Sequence, residues 1–67
     1  MSVIKVIEVI GTSEKSWEEA VKNALKRAAK TIRNITGIDV LGLKGVVKDN
    51  QIVEYRAHTK IAFVVEE

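Results

Sequence analysis

The stretch IVEYRAHTKIAFVV, Ile52 to Val65, alternates in character for its whole length. Val53, Tyr55, Ala57, Thr59, Ile61, Phe63 and Val65 fall on one side of an extended chain. Glu54, Arg56, His58 and Lys60 fall on the other, and Glu66 continues the polar side. A period of two predicts a strand with one face wanted by a core. Just upstream, Asp49-Asn50 are residues that tolerate the positive φ of a tight hairpin turn, so Ile38–Val47 is predicted to fold back on Ile52–Val65. A two-residue loop places Lys48 opposite Gln51, Leu43 opposite Arg56, Leu41 opposite His58 and Asp39 opposite Lys60.

Working outward, Val3–Ile10 is rich in β-branched residues and is closed by Gly11-Thr12-Ser13. It reads as a strand with apolar residues on both faces, Ile4, Val6 and Ile10 with Glu8 on one, and Val3, Ile7 and Val9 with Lys5 on the other. Between the strands lies a helix, predicted from about Trp17 to Asn34. Ser16-Trp17-Glu18-Glu19 has the spacing of a capping box, in which hydroxyl and carboxylate satisfy each other's orphan amides. Trp17, Val21, Ala24, Leu25, Ala28, Ile32 and Ile35 recur at steps of three and four as one apolar stripe, and Lys22, Lys26, Lys30 and Arg33 gather opposite it. Gly37 stands where it could help end the helix. Acidic residues in the first turn and basic ones later suit the helix dipole.

The order strand–helix–strand–strand has a simple antiparallel solution. The first two strands run the same way, so the third lies between them, giving a β-α-β-β fold of the α+β class with sheet order 1-3-2 and the helix on one face. The architecture leaves two things uncovered. Fourteen extended residues span roughly 46 Å, whereas an 18-residue helix spans about 27 Å. The sheet face away from the helix carries Leu41, Leu43, Val47 and Ile52 among Arg56, His58 and Lys60, more apolar surface than a solvated face needs. Both point to burial against further copies of the chain.

Composition bounds the function. With 67 residues the chain supports one small domain, residues 1–67, and a thin core. It has no cysteine and one histidine, which excludes disulfides and any thiolate or multi-histidine zinc site within one chain. The remaining staple for so small a core is self-association. Eleven basic and nine acidic residues give a net charge of +2, a mild bias and not a nucleic-acid signature. The basic helix stripe reads as a solvated face, with anion or nucleic-acid binding as the alternative. Lys5 and Glu8 interrupt the apolar opening run, which is too short and too charged for a membrane span, so a cytoplasmic protein without a membrane partner is expected. No nucleophile–base constellation is present, and Gly42-Leu43-Lys44-Gly45 sits inside a strand, not before a helix as a phosphate loop would. The expectation is that the protein is not an enzyme.

Three stretches carry a family resemblance: Lys5-Val6-Ile7-Glu8-Val9-Ile10-Gly11-Thr12-Ser13, Ala28-Ala29-Lys30-Thr31-Ile32-Arg33, and Glu54-Tyr55-Arg56 through Phe63 with Glu66-Glu67. In that order they resemble the dodecins over nearly the whole chain. The resemblance implies a helix on a three-stranded antiparallel sheet, twelve copies closed into a hollow homododecamer, and storage or sequestration of a small ligand, flavin in the flavin-binding members. In those members a tryptophan just after the helix stacks on the flavin ring and a glutamine in the last strand hydrogen-bonds it. The aligned positions here are Gly37 and Arg56, so flavin binding is expected to be weakened or absent. A calcium-binding type within the family implies a cation as the alternative ligand. The carboxylates that could collect for it are Asp39, Glu54 and Glu8, calcium wanting about six to eight oxygens; pairing with Arg56, Lys60 or Lys5 is the other fate expected of them.

Overall fold

The computed structural model describes residues 2–65, so the expectations placed on Glu66 and Glu67 lie outside the described residues. The elements are β1 (Val3–Ser13), α1 (Trp17–Ala28), β2 (Ile35–Lys48) and β3 (Gln51–Val65), and the sheet is antiparallel with order β1-β3-β2. The central strand is the long alternating one, as its pattern requires.

At the hairpin, Asp49 and Asn50 both adopt positive φ, 52° and 63°, the turn whose twist matches that of its strands. Pairing begins at Lys48–Gln51 and returns to Asp39–Lys60, as expected, but it departs in between. Irregularities at Val46/Val47 and Val40/Gly42 shift the middle by one residue, so Leu43 faces Ala57 and Lys44 faces Arg56. Paired residues share a face. Leu43 therefore belongs to the helix side of the sheet, while Lys44 takes the place beside Arg56. The extra residue at the second irregularity is Leu41, next to Gly42.

Helix α1 starts as its sequence demands. Ser16 Oγ accepts from the Glu19 amide at 3.0 Å, but the reciprocal half of the box is diverted. Glu19 Oε1 accepts from Ser13 Oγ at 2.9 Å, and Ser13 Oγ in turn takes the amides of Lys15 and Ser16 at 2.9 and 3.4 Å. The helix ends at Ala28, six residues before Asn34. The Lys30 and Thr31 amides bond the carbonyls of Arg27 and Ala28 in a tightened last turn, and Asn34, at φ 63°, supplies the left-handed residue expected of Gly37. Ile32 and Ile35 continue the apolar spacing for a different reason: the chain is already turning into β2, where Ile35 pairs with Phe63.

What α1 sets against the sheet is small. Ala20, Ala24 and Ala28 are its buried residues, and they meet Ala57, Thr59 and Ile61, each fully buried in β3. The closest approach is at Gly11 of β1, where a Cβ atom would stand 2.0 Å from the Ala20 carbonyl oxygen and 2.8 Å from Ala24 Cβ. Only glycine lets strand and helix backbones touch there. Thr59 buries its hydroxyl by donating to the Val9 carbonyl at 2.7 Å, and Asn23 ties α1 to the Thr12 carbonyl at 2.9 Å. Trp17 fills the hairpin end, its ring meeting Tyr55 edge-on at 4.7 Å and its Nε1 donating to the Lys44 carbonyl at 2.9 Å.

The molecule is a slab of 52 × 19 × 13 Å. Fifteen residues of β3 extend about 50 Å, against about 18 Å for twelve of α1. Val53 and Val65, on the helix side but beyond the helix ends, are exposed. No helix among the described residues is long and apolar enough to cross a membrane.

Candidate ligand and assembly face

The face turned away from α1 can be written as rows across the three strands. Thr12, Arg56 and Lys44 make one row, Ile10, His58 and Gly42 the next, then Glu8, Lys60 and Asp39, then Val6, Ala62 and Gly37. A polar belt in the middle is thus flanked by apolar ends, Ile4 and Val6 at one and Val47 and Ile52 at the other. These are not incidental apolar atoms. Ile4 is 60% exposed, Val6 51%, Ile10 60% and Val47 61%, on a chain whose own core is a few alanines and one isoleucine. Large apolar side chains this exposed at both ends of one face mark an interaction face.

Charges in the belt are largely paired within the chain. Arg56 Nε donates to Glu54 Oε2 at 2.6 Å. His58 Nε2 lies 2.8 Å from Glu8 Oε2, across the β1–β3 ladder. The hydrogen bond with His58, then the imidazole's charge, with Lys60 adding to it, hold the Glu8 carboxyl below the ordinary carboxylate range, against a smaller opposing effect of desolvation. Asp39 stands opposite Lys60 in the register. Glu8 and Asp39 thus stand on either side of Lys60 in one row, and Glu54 lies six residues away along β3. Among the described residues no three acidic or imidazole groups come together as a metal site would require. A cation held here would draw its oxygens from more than one subunit.

Gly37 and Arg56, the two positions the resemblance assigns to ring recognition, both lie on this face, six residues apart along β3 when Gly37 is carried to its partner Ala62. Gly37 offers no ring, and its surroundings would accept one. Its φ is not positive, and a Cβ built there meets only Ala62 Cβ, at 4.0 Å. The apolar cavity of about 410 Å³ lined by Leu25, Ala29, Ile35, Thr36 and Ile38 opens on the helix side of β2, away from the direction such a side chain would take. The rings of Trp17, Tyr55 and Phe63 all sit on the helix side.

Sequence reasoning missed the Glu8–His58 pair, which follows only once β1 is registered against β3. It also missed Lys44 beside Arg56, which the strand irregularities bring there.

The family model described as Dodecin matches residues 3–66. A dodecin from Thermus thermophilus is 35% identical over 65 residues, covering 97% of this chain and 94% of that protein. A calcium dodecin from Mycobacterium tuberculosis is 36% identical over 63 residues, covering 94% and 89%; its crystal structure, described as having a novel calcium-binding site, superposes with a TM-score of 0.85 at 34% identity, covering 97% of this chain and 93% of that one. A dodecin from Streptomyces coelicolor superposes with a TM-score of 0.95 at 33% identity over 98% of this chain and 94% of that one.

Proposed function

The chain belongs to the dodecin family, and from that premise we propose that it is a cytoplasmic, non-enzymatic homododecamer that sequesters a small ligand between its subunits and binds flavin weakly or not at all. The observation that carries the flavin part is the emptiness of the Gly37–Ala62 row, with Trp17, Tyr55 and Phe63 on the wrong side of the sheet to replace the missing ring. An aromatic stack on a base contributes about 1–3 kcal/mol, and losing the equivalent stack on a flavin ring at each copy of a symmetric site compounds. Arg56 adds a second mismatch. It brings a fixed charge and five donors, one already given to Glu54, and no acceptor for the ring's imide N–H.

Riboflavin fluorescence tests this reading. The protein as it stands should quench weakly or not at all. Gly37→Trp combined with Arg56→Gln should create quenching, because the extended backbone and open space at Gly37 accept a side chain. Submicromolar riboflavin binding by the unaltered protein would overturn the loss-of-platform argument.

The relationship to a calcium dodecin favours a second reading, a calcium-stabilised shell using Glu8, Asp39 and Glu54 from several subunits. Calcium would have to displace His58 from Glu8 and Arg56 from Glu54. The expected result is therefore a melting temperature indifferent to calcium and to a chelator; a rise with one and a fall with the other would establish the cation site.

A further inference from the structure

The net charge of +2 conceals a segregation of charge that the fold turns into a surface. Residues 17–33 hold Lys22, Lys26, Arg27, Lys30 and Arg33 against Glu18 and Glu19, leaving six of the eleven basic and seven of the nine acidic residues for the rest of the chain. All of the excess positive charge therefore lies in and just after α1. The two acids are also engaged. Glu19 accepts from Ser13 Oγ, and Glu18 lies 3.8 Å from Lys22. Lys26, Arg27, Lys30 and Arg33 are exposed and form no ion pair among the described residues.

Position makes this more than a helix complementing its own dipole. The open sheet face is the one that further copies must cover, so the helix layer, on the other side of the slab, stays on the outside of the assembly. Twelve helices then present the same unpaired cations on one curved outer surface. Lys26 and Arg27 stand in the last turn of α1, and Lys30 and Arg33 in the turn and connection that follow it. The cations thus gather at one end of the helix, and a long polyanion touches several such clusters at once. Contacts too weak singly become strong when one shell supplies them all. The exposed cationic face carries no aromatic side chain to enter a bilayer and no enclosed donors to hold a small anion.

We propose that the outer, helix-bearing surface of the assembled protein binds double-stranded nucleic acid through Lys26, Arg27, Lys30 and Arg33, without reading sequence. The proposal rests on the assembled shell, and its test separates the two. Binding to a fluorescein-labelled 30-base-pair duplex is followed by anisotropy at 50 and 200 mM NaCl, with scattering mass measured on the same samples. Neutralising about four phosphates predicts a loss of about a hundredfold over that salt range. The charge-reversed variant K26E/R27E/K30E should lose binding at least tenfold at unchanged mass. The neutral variant K26Q/R27Q/K30Q, which spares the helix C-terminus three added negative charges, should lose binding by a smaller factor and serves if the reversed one fails to assemble. No binding at 50 mM by an intact assembly overturns the proposal, as does binding that survives both variants. So does a preference for phosphatidylserine-containing vesicles with none for the duplex. A protein that proves monomeric would instead refute the shell.

Discussion

The two faces of the sheet are made from one set of strands and solved in opposite ways. Toward α1, Ala57, Thr59 and Ile61 disappear completely behind Ala20, Ala24 and Ala28, with Gly11 letting the backbones touch. Away from it, larger residues such as Ile4, Val6, Ile10 and Val47 stay in the open. Ile61 apart, the side chains fully buried in the monomer are small and many of the large apolar ones are exposed, the reverse of a domain built to stand alone. The larger share of the apolar burial available to this chain thus lies between copies, and stability and assembly become one quantity.

The largest expected effect comes from charging the open face. Val6→Lys should abolish the particle of about twelve times 7.4 kDa in light scattering and leave a smaller, poorly folded species. An intact particle of unchanged mass would mean that this face is not the interface.

Next come two glycines, one on each face. Gly11→Ala drives a methyl group into the Ala20 carbonyl and should cost about 3 kcal/mol in chemical denaturation. Gly42→Ala, whose new atom meets nothing of its own chain within 4 Å, should stay within about 0.5 kcal/mol. Equal costs would break the comparison between a closed face and an open one.

A smaller effect is expected at the hairpin end. Trp17→Phe keeps most of the apolar contact with Tyr55 and hands the exposed Lys44 carbonyl to water, at about 1 kcal/mol or less.

The faint end of the scale is acid dependence on the open face. Glu8 is held below the ordinary carboxylate range in the folded protein, so its contribution is fully present above that range and is lost as pH falls through the folded value. Between roughly pH 5 and 3 the melting temperature should fall more steeply for the unaltered protein than for Glu8→Gln. Parallel curves would show that the pair with His58 does not outlast competition with water.

The parts legible in the sequence were those decided by neighbours along the chain. The Asp49-Asn50 turn, the alternation of β3 and the Ser16 cap each use local chemistry, and together they determine the topology. The irregularities at Leu41 and Val46/Val47 were not legible, because apolar residues on both faces of β2 leave no break in period when the register slips. The helix end misled for a related reason. Ile32 and Ile35 prolong the stripe although the chain has already turned at Asn34, and nothing in an apolar spacing says which partner it serves. At the candidate site the face was readable from alternation, and the absence of a ring at Gly37 is a fact of sequence. The Glu8–His58 pair joins residues fifty positions apart and needed the third dimension.

The ladder that joins β1 to β3 has a consequence for how the chain is made. Val3 pairs with Val65 and Ile7 with Ile61, so β1 has no partner until β3 has been translated. Throughout that interval an apolar, β-branched strand waits in the nascent chain with both edges open. The nearest chains on a polysome are identical and equally incomplete. Lys5 and Glu8, one charge on each face of β1, are what interrupts that strand's apolar run while it waits.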